Sequence, residues 1–313
     1  MATLLIIGGT GFFGKSILDS FKRNQLVRWK IDKVIIMSRN SHDFEENYPE
    51  LCSKGVDFLT GDISTIDFLP EADFVIHAAA SANTSKFLNR SEEEKNNIID
   101  GTLNYCNLAK KFHKKSKIIY CSSGAVYGYQ PNNLQFLEED NPFGDISKLD
   151  NIKKSYAYAK RDSEVAIREL GKKGINVSIA RCFSFVGKYL PRDQHFAIGN
   201  FIANGKNGTD IEVKTDRLVF RSYMNADDLV EWLLTIADNS KPTCPVYNVA
   251  SDKEIEIREL ANIASQIFNV SVKTVEINKN ATEDRYIPSI EKAKKELGLR
   301  INYALKEPIL MSI

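Results

Sequence analysis

Three side chains far apart in the chain could together move a proton between a carbonyl and an alcohol: Ser123, Tyr156 and Lys160. Tyr156 and Lys160 are four residues apart in a segment of helical periodicity, so they share one face. Tyr158, two positions beyond Tyr156, points elsewhere. An unassisted phenol has a pKa of about 10 and is a poor base at neutral pH. A neighbouring ammonium favours the phenolate and lowers that value. A serine hydroxyl can hold the substrate oxygen while the proton moves. Such a relay serves a carbonyl–alcohol couple only beside a group that gives or takes hydride. A Tyr–Lys pair by itself is a common chance match, so its meaning depends on what the rest of the chain builds.

The N-terminal stretch supplies a place for a hydride carrier. Leu4 to Ile7 is an unbroken apolar run, as in a strand buried on both faces. Gly8, Gly11 and Gly14 follow, and then Ile17, Leu18 and Phe21 recur at helical spacing. Strand, glycine turn and helix are the context of a dinucleotide fingerprint. Glycines there allow a tight turn and close backbone approach to a pyrophosphate at the helix N-terminus. An ordinary glycine-rich connection is the alternative.

Strand and helix signals then alternate. Lys33 to Met37 reads as a second strand, ending in Ser38-Arg39-Asn40. A carboxylate at that strand end would bond a ribose 2′-hydroxyl, whereas an arginine accommodates a 2′-phosphate. Arg39 beside Ser38 therefore points to NADP over NAD, unless Arg39 is simply a solvated loop residue. Val56 to Leu59 is a third strand, and Asp62 after it either meets the adenine amine or caps a turn. Asp73 to Ala80 is a fourth, ending in small Ala78, Ala79 and Ala80, over which a cofactor could lie; its His77 reads as a packed strand-end residue. Ser91 can cap a helix with acids in its first turn and Lys110, Lys111, Lys114 and Lys115 at its end, which complements the helix dipole. Lys117 to Cys121 is a fifth strand terminating in Ser122 and Ser123, a helix begins near Lys154, and Asn176 to Ala180 is a sixth strand.

This alternation predicts an α/β fold: a doubly wound parallel sheet of Rossmann type over residues 1–180. Residues 181–313 loosen into a smaller α/β substrate lobe. Its helices are expected at Phe196–Ala203, Asp227–Ala237, Arg258–Phe268 and Ser289–Leu297. Strands are expected at Ile211–Lys214 and Leu218–Phe220, flanking a hairpin at Thr215-Asp216-Arg217, and at Val246–Ala250 and Val272–Ile277. The lobe interleaves with the first unit, with segments returning to its sheet, and the cleft between them is the default substrate site.

Composition narrows the class. The 313 residues carry 27% charged side chains that balance to +1, so no global field favours nucleic acid or an anionic membrane. No apolar run approaches a membrane span, and Met1 leads directly into the first strand without a signal peptide. The five cysteines are scattered without metal-ligand spacing, and the four histidines spell out no metal site or Ser-His-Asp triad. Cys121 reads as a small buried residue rather than a nucleophile. A soluble, cytoplasmic protein with no metal is expected.

In order, these motifs resemble the extended short-chain dehydrogenase/reductase family, in its nucleotide-sugar epimerase, dehydratase and reductase branch. The resemblance spans nearly the whole chain: Gly8 to Gly14; Asn97-Ile98-Ile99-Asp100-Gly101-Thr102, similar to an Asn-x-x-Gly-Thr segment shifted by one; Ser122 to Gly128, similar to Ser-Ser-x-x-Val-Tyr-Gly; Tyr156-x-x-x-Lys160; and Arg221 to Asp228. Arg285 with Lys292 to Gly298 resembles the C-terminal pattern. It implies catalytic roles for Ser123, Tyr156 and Lys160. It implies cofactor contacts from the glycine turn with Phe12 and Phe13, from Ser38, Arg39, Asp62 and Ile63, from Ala78 to Ala80, and from Asn97, Tyr156, Lys160 and Phe183. Substrate contacts would come from Ser81, Ser123, Gly124, Ser184, Arg221 and Arg285, the two arginines clamping a diphosphate where they are not surface ion pairs. A homodimer through the helices around Asn97–Phe112 and Tyr156–Leu170 is also implied.

Departures from the family pattern refine the expectation. Ile7 stands where many members have Thr. Dehydratases of this branch carry Asp and Glu after the catalytic hydroxyl, and here those positions are Gly124 and Ala125, which argues against 4,6-dehydration. Ser184 and Val186 replace an amide and a phenol of the usual nucleotide-binding segment. The expected activity is NADPH-dependent reduction of a nucleotide-linked keto-deoxy sugar. Alternatives are an NAD-dependent 4-epimerase and a non-catalytic dinucleotide-binding protein.

Overall fold

Leu4 to Ile7 lies at the centre of the molecule because both of its faces are apolar. Leu4 and Ile6 pack into one core cluster and Leu5 and Ile7 into another, so the strand is covered on both sides. Each fully buried aliphatic side chain of this kind contributes about 1.5–3 kcal/mol. The computed structural model describes residues 1–80, 84–147, 149–192 and 196–312.

The first half runs β1 (Ala2–Ile7), α1 (Phe12–Lys22), β2 (Ile31–Ser38), α2 (Ser41–Asn47), β3 (Val56–Thr60), β4 (Phe74–His77), α3 (Thr84–Phe112), β5 (Lys117–Ser123), α4 (Asn151–Gly171) and β6 (Val177–Cys182). The second runs β7 (Phe185–Val186), α5 (Ala197–Lys206), β8 (Ile211–Val213), β9 (Val219–Ser222), β10 (Met224–Asn225), α6 (Ala226–Asp238), β11 (Val246–Val249), β12 (Glu254–Glu256), α7 (Ile257–Phe268), β13 (Val272–Thr274), β14 (Asp284–Tyr286), α8 (Glu291–Leu297) and α9 (Lys306–Met311). Seven strands form one parallel sheet in the order β11-β6-β5-β4-β1-β2-β3. The order reverses between β1 and β4, which is where ligands bind in a doubly wound sheet. The expected return to the sheet is β11, parallel to β6.

Three expectations need correction. Thr215–Arg217 is not a hairpin: β8 pairs with β13, while β9 pairs with β12 and β14. The turn is instead tied to α7, since Arg258 donates to the carbonyls of Thr215 and Arg217. The fourth strand stops at His77, so Ala78 to Ala80 form a loop. The helix read from Ser91 has an additional segment in front of it, from Thr84 to a break at Arg90 (φ −147°, ψ 43°). Among the described residues no helix is long and apolar enough to cross a membrane.

Behind β5 and β6 lies a buried ion pair. Arg181 donates Nε to Glu164 Oε1 at 3.0 Å and Nη2 to Oε2 at 2.9 Å, with both side chains 3% exposed. Ser122 donates to the same carboxylate at 2.7 Å, and Arg181 Nη1 donates to the Glu139 carbonyl at 3.0 Å. The pair joins α4, β5, β6 and the loop before α4. Removing Glu164 strands a buried guanidinium, so Glu164→Ala should cost about 3–5 kcal/mol in urea unfolding. Glu169→Ala, on the same helix but in an exposed pair with Lys172, should cost about 0.5 kcal/mol or less. Equal losses would show that the buried pair does not organise this region.

Candidate active site

Ser123 and Tyr156 meet at the C-terminal edge of the sheet. Ser123 ends β5, accepts a hydrogen bond from the Ala125 N–H at 3.2 Å, and caps the short turn Gly124–Tyr127. Tyr156 lies in the second turn of α4, a helix whose start is fixed by Asp150 accepting from the Lys153 N–H at 2.8 Å. The Ser123 hydroxyl lies near enough to the Tyr156 phenol to favour its charged form. Lys160, one turn further on, is 2% exposed; its Nζ donates to the Cys121 carbonyl at 2.8 Å and the Tyr120 hydroxyl at 3.3 Å, and lies 5.8 Å from the Tyr156 ring centre. The three groups therefore converge.

Their protonation follows from this packing. Burial raises the Tyr156 phenol above its ordinary value, and the Lys160 charge and the nearby Ser123 hydroxyl pull the other way without cancelling it. Burial alone would lower the Lys160 ammonium, yet the hydroxyls of Tyr120 and Tyr156 leave it raised. Lys160 is thus a fixed cation beneath a protonated phenol. His77 is pushed down to about 3 by burial and the nearby Lys160 charge, and its ring lies edge-on to Tyr105 and Tyr120. It stays neutral and is a packing residue. Cys121 is buried 4% exposed within the core, not presented to a cleft.

The glycine turn fits a dinucleotide by a simple steric test. Gly8 has φ +82°, and a Cβ there would strike the Ala79 backbone at 2.6 Å. A Cβ on Gly14 would overlap the Gly9 carbonyl. Gly11 is different: among the described residues nothing lies closer to its Cβ position than the Gly8 carbonyl at 3.5 Å. The protein does not need a glycine at that position, whereas a pyrophosphate pressed against it would. Gly11 is also the N-cap of α1 and offers no side chain to the first N–H groups of the helix, which are left for an anion. Phe12 and Phe13 pack with Phe185, fixing this helix end against β7. Ala78 and Ala79 flank the turn, half-buried, and Ala80 is exposed.

At the end of β2, the Ser38 hydroxyl is bonded to Thr10 at 2.8 Å, and Arg39 is exposed with Nη1 3.6 Å from Asp62. Asp62 caps a turn, accepting from the Ser64 N–H at 2.9 Å and its hydroxyl at 2.8 Å. Burial would raise that carboxyl, but the Ser64 bonds and Arg39 outweigh it and hold it low. Ile63 is in the core and its carbonyl accepts from Asn104. Asn97 is exposed, and Ile98 packs with Ala159 and Tyr156 instead. One helical step turns a side chain by about 100°, so the shifted motif carries its amide away from the site.

On the substrate side, Phe183 stacks on Tyr286 with ring centres 4.5 Å apart, and Ser184 is half-buried beside it. Arg221 is held by Asp284 at 2.9 Å and lies 5.8 Å from the Tyr286 ring. Arg285 alternates to the other face of β14, where it pairs with Glu254 and sits 4.7 Å over Phe220. The two arginines thus face opposite ways and do not form the expected clamp; Arg221 lies on the Tyr286 side. Ser81 lies outside the described residues. Two neighbours of the site escaped the sequence reading, Tyr120 and Tyr286; each alternates on its strand with a residue that was singled out.

A family model described as NAD dependent epimerase/dehydratase matches residues 4–250, most of the chain. The chain belongs to this family. Relatives within reach of sequence comparison include the UDP-glucuronic acid decarboxylase 3 of Arabidopsis thaliana, 27% identical and covering 97% of this chain and 86% of its own. A UDP-N-acetyl-alpha-D-glucosaminuronate decarboxylase of Bacillus cytotoxicus is 28% identical, covering 87% and 82%. Among solved structures, a dTDP-glucose 4,6-dehydratase of Streptomyces venezuelae superposes with a TM-score of 0.81, 22% identity and coverage of 99% and 94%. A UDP-glucose 4-epimerase of Thermotoga maritima gives 0.80, 20%, and 99% and 97%. These superpositions bear out the Rossmann-type fold.

For an NAD-dependent family member with this turn, Gly11→Ala and Gly14→Ala should separate binding from folding. Gly11→Ala should keep the wild-type melting temperature while weakening NAD(H) affinity at least about tenfold, read by calorimetric titration. Gly14→Ala should lower the melting temperature, because its methyl has no room. An unchanged affinity in Gly11→Ala would remove the pyrophosphate from this turn.

Proposed function

We propose that the protein reduces a ketone on a nucleotide-linked keto-deoxy sugar, with NADPH as the hydride source. The observation that carries the reading is the convergence of Ser123 and Tyr156 beside the buried Lys160 ammonium, whose Nζ bonds the Cys121 carbonyl and lies 5.8 Å from the Tyr156 ring centre. The nicotinamide, when bound, supplies hydride to the carbonyl carbon. Ser123 holds the carbonyl oxygen, and the protonated Tyr156 phenol donates its proton to that oxygen as it becomes an alcohol. Lys160 keeps a positive charge beneath the phenol, stabilising the phenolate left behind. A phenol raised by burial is in the acid form at neutral pH, which favours the reductive direction.

Gly124 and Ala125 bring no titratable group to the reacting sugar, which supports hydride chemistry without water elimination. Residues 1–180 are assigned to the dinucleotide, with Ser38 and Arg39 toward its 2′-phosphate, and residues 181–313 mainly to the sugar nucleotide, with Arg221 toward its diphosphate. Leu103, Tyr158 and Val165 are exposed apolar residues on α3 and α4, and they support a homodimer through those helices. A 4-epimerase is the second reading, favoured by the close superposition on a UDP-glucose 4-epimerase.

With dTDP-4-keto-6-deoxyglucose as probe, wild type should consume NADPH stoichiometrically. Tyr156→Phe should lose about 100-fold or more in kcat while keeping cofactor affinity. Reduction should fall as pH rises through the Tyr156 pKa, because the proton donor is then lost. Arg39→Asp should shift preference from NADPH toward NADH. Interconversion of UDP-sugars with no net NADPH use would establish the epimerase instead, and CO2 release from UDP-glucuronic acid would replace both. Full turnover by Tyr156→Phe would end the Ser/Tyr/Lys reading.

A further inference from the structure

Two groups on β5 decide how the Lys160 ammonium stands. Its Nζ donates to the Cys121 carbonyl at 2.8 Å and to the Tyr120 hydroxyl at 3.3 Å. The carbonyl is backbone and would be offered by any residue at 121. The hydroxyl is there because residue 120 is a tyrosine. Tyr120 is fully buried, in the core cluster that also takes Tyr105 of α3 and Ile167 of α4. Its ring is held edge-on against His77 with centres 5.3 Å apart, and His77 is edge-on to Tyr105 at 4.9 Å. A ring packed in this way holds its oxygen at a fixed point. The ammonium lies 4.8 Å from the centre of that ring and 5.8 Å from the centre of the Tyr156 ring, so one cation neighbours two phenols.

We infer that Tyr120 is a positioning residue of this site: by accepting from Lys160 it aims the remaining N–H of the ammonium toward Tyr156. The inference rests on the proposed Ser/Tyr/Lys chemistry and deepens it. An ammonium carries three N–H groups in tetrahedral directions at the end of a flexible four-carbon stem. A single acceptor fixes one direction and lets the other two N–H groups rotate about it. A second acceptor stops that rotation, and the third direction is then set as well. Both acceptors lie on β5, which leaves the third N–H for the side of Tyr156, one turn earlier on α4. The other groups facing the ammonium are His77 from β4, which stays neutral, and the thiols of Cys121 on β5 and Cys182 on β6. No carboxylate is among them, so hydroxyl and carbonyl oxygens orient the cation. Without the Tyr120 oxygen, the ammonium turns about its one remaining β5 bond and holds its charge less closely on the Tyr156 oxygen. The phenolate left after proton transfer is then less stabilised.

The test is Tyr120→Phe, which keeps the ring against His77 and deletes one oxygen. In turnover with NADPH and dTDP-4-keto-6-deoxyglucose, kcat should fall on the order of tenfold while KM for the sugar changes less than about twofold. The alkaline limb should move to higher pH, since a less stabilised phenolate means a higher Tyr156 pKa. In a Tyr156→Phe background the same substitution should cost less than about twofold more, because its effect passes through the phenol. A readout independent of substrate is the Tyr156 resonance in protein labelled with 13Cζ-tyrosine, assigned by its loss in Tyr156→Phe. Tyr120→Phe should displace it. Tyr247→Phe, which deletes a hydroxyl bonded to Glu296 from the edge strand β11, should not. Losses that multiply in the double variant, an unmoved alkaline limb or an unmoved resonance would overturn the inference. Wild type that leaves the ketone unreduced would overturn the underlying chemistry, and the resonance would still decide the place of Tyr120.

Discussion

A cation as buried as Lys160 has to be answered by oxygen atoms, and the way it is answered fixes the geometry of the sheet edge that carries Ser123. Taking an ammonium out of water costs several kcal/mol unless partners replace the solvent. Here the Cys121 carbonyl and the Tyr120 hydroxyl do so, both from β5. Because Lys160 is on α4, its two bonds hold that helix against the strand that carries Ser123. Tyr156, one turn earlier, is then delivered to Ser123 by the rigidity of the helix. The same buried charge that lies beside the phenol is what aligns the two elements bearing Ser123 and Tyr156.

The surroundings show how the sheet edge is kept rigid. The Arg181–Glu164 pair bonds Ser122, the residue before Ser123, and so ties β5 to α4 a second time from behind. Asn248 on β11 bonds the Leu137 and Ser289 carbonyls, joining the C-terminal lobe to the loop after β5. The lobe is therefore attached to the sheet through buried polar bonds, whose loss would leave desolvated groups without partners.

Gly124 and Ala125 show how chemistry is narrowed by omission. A side chain at Gly124 would strike the Phe183 ring and the Tyr286 hydroxyl, and neither position carries a titratable group. With neither present, Ser123, Tyr156 and Tyr286 give the site hydroxyl groups and aromatic surface.

Much of this was legible in the chain itself. The both-face burial of Leu4 to Ile7, the glycine spacing, and the Tyr156–Lys160 pairing are local properties, set by strand or helix period within a few residues. They determined the sheet, the glycine turn and the shared face of Tyr156 and Lys160 on α4. Only the tertiary structure decided that Arg285 faces away while Tyr286 faces in, because a strand alternates at every residue and its register with β9 is a long-range matter. Only it decided that Ile98, not Asn97, lies beside Tyr156, since that depends on how α3 is rotated against α4. Local periodicity names the candidates, and packing between distant elements selects which of them meet.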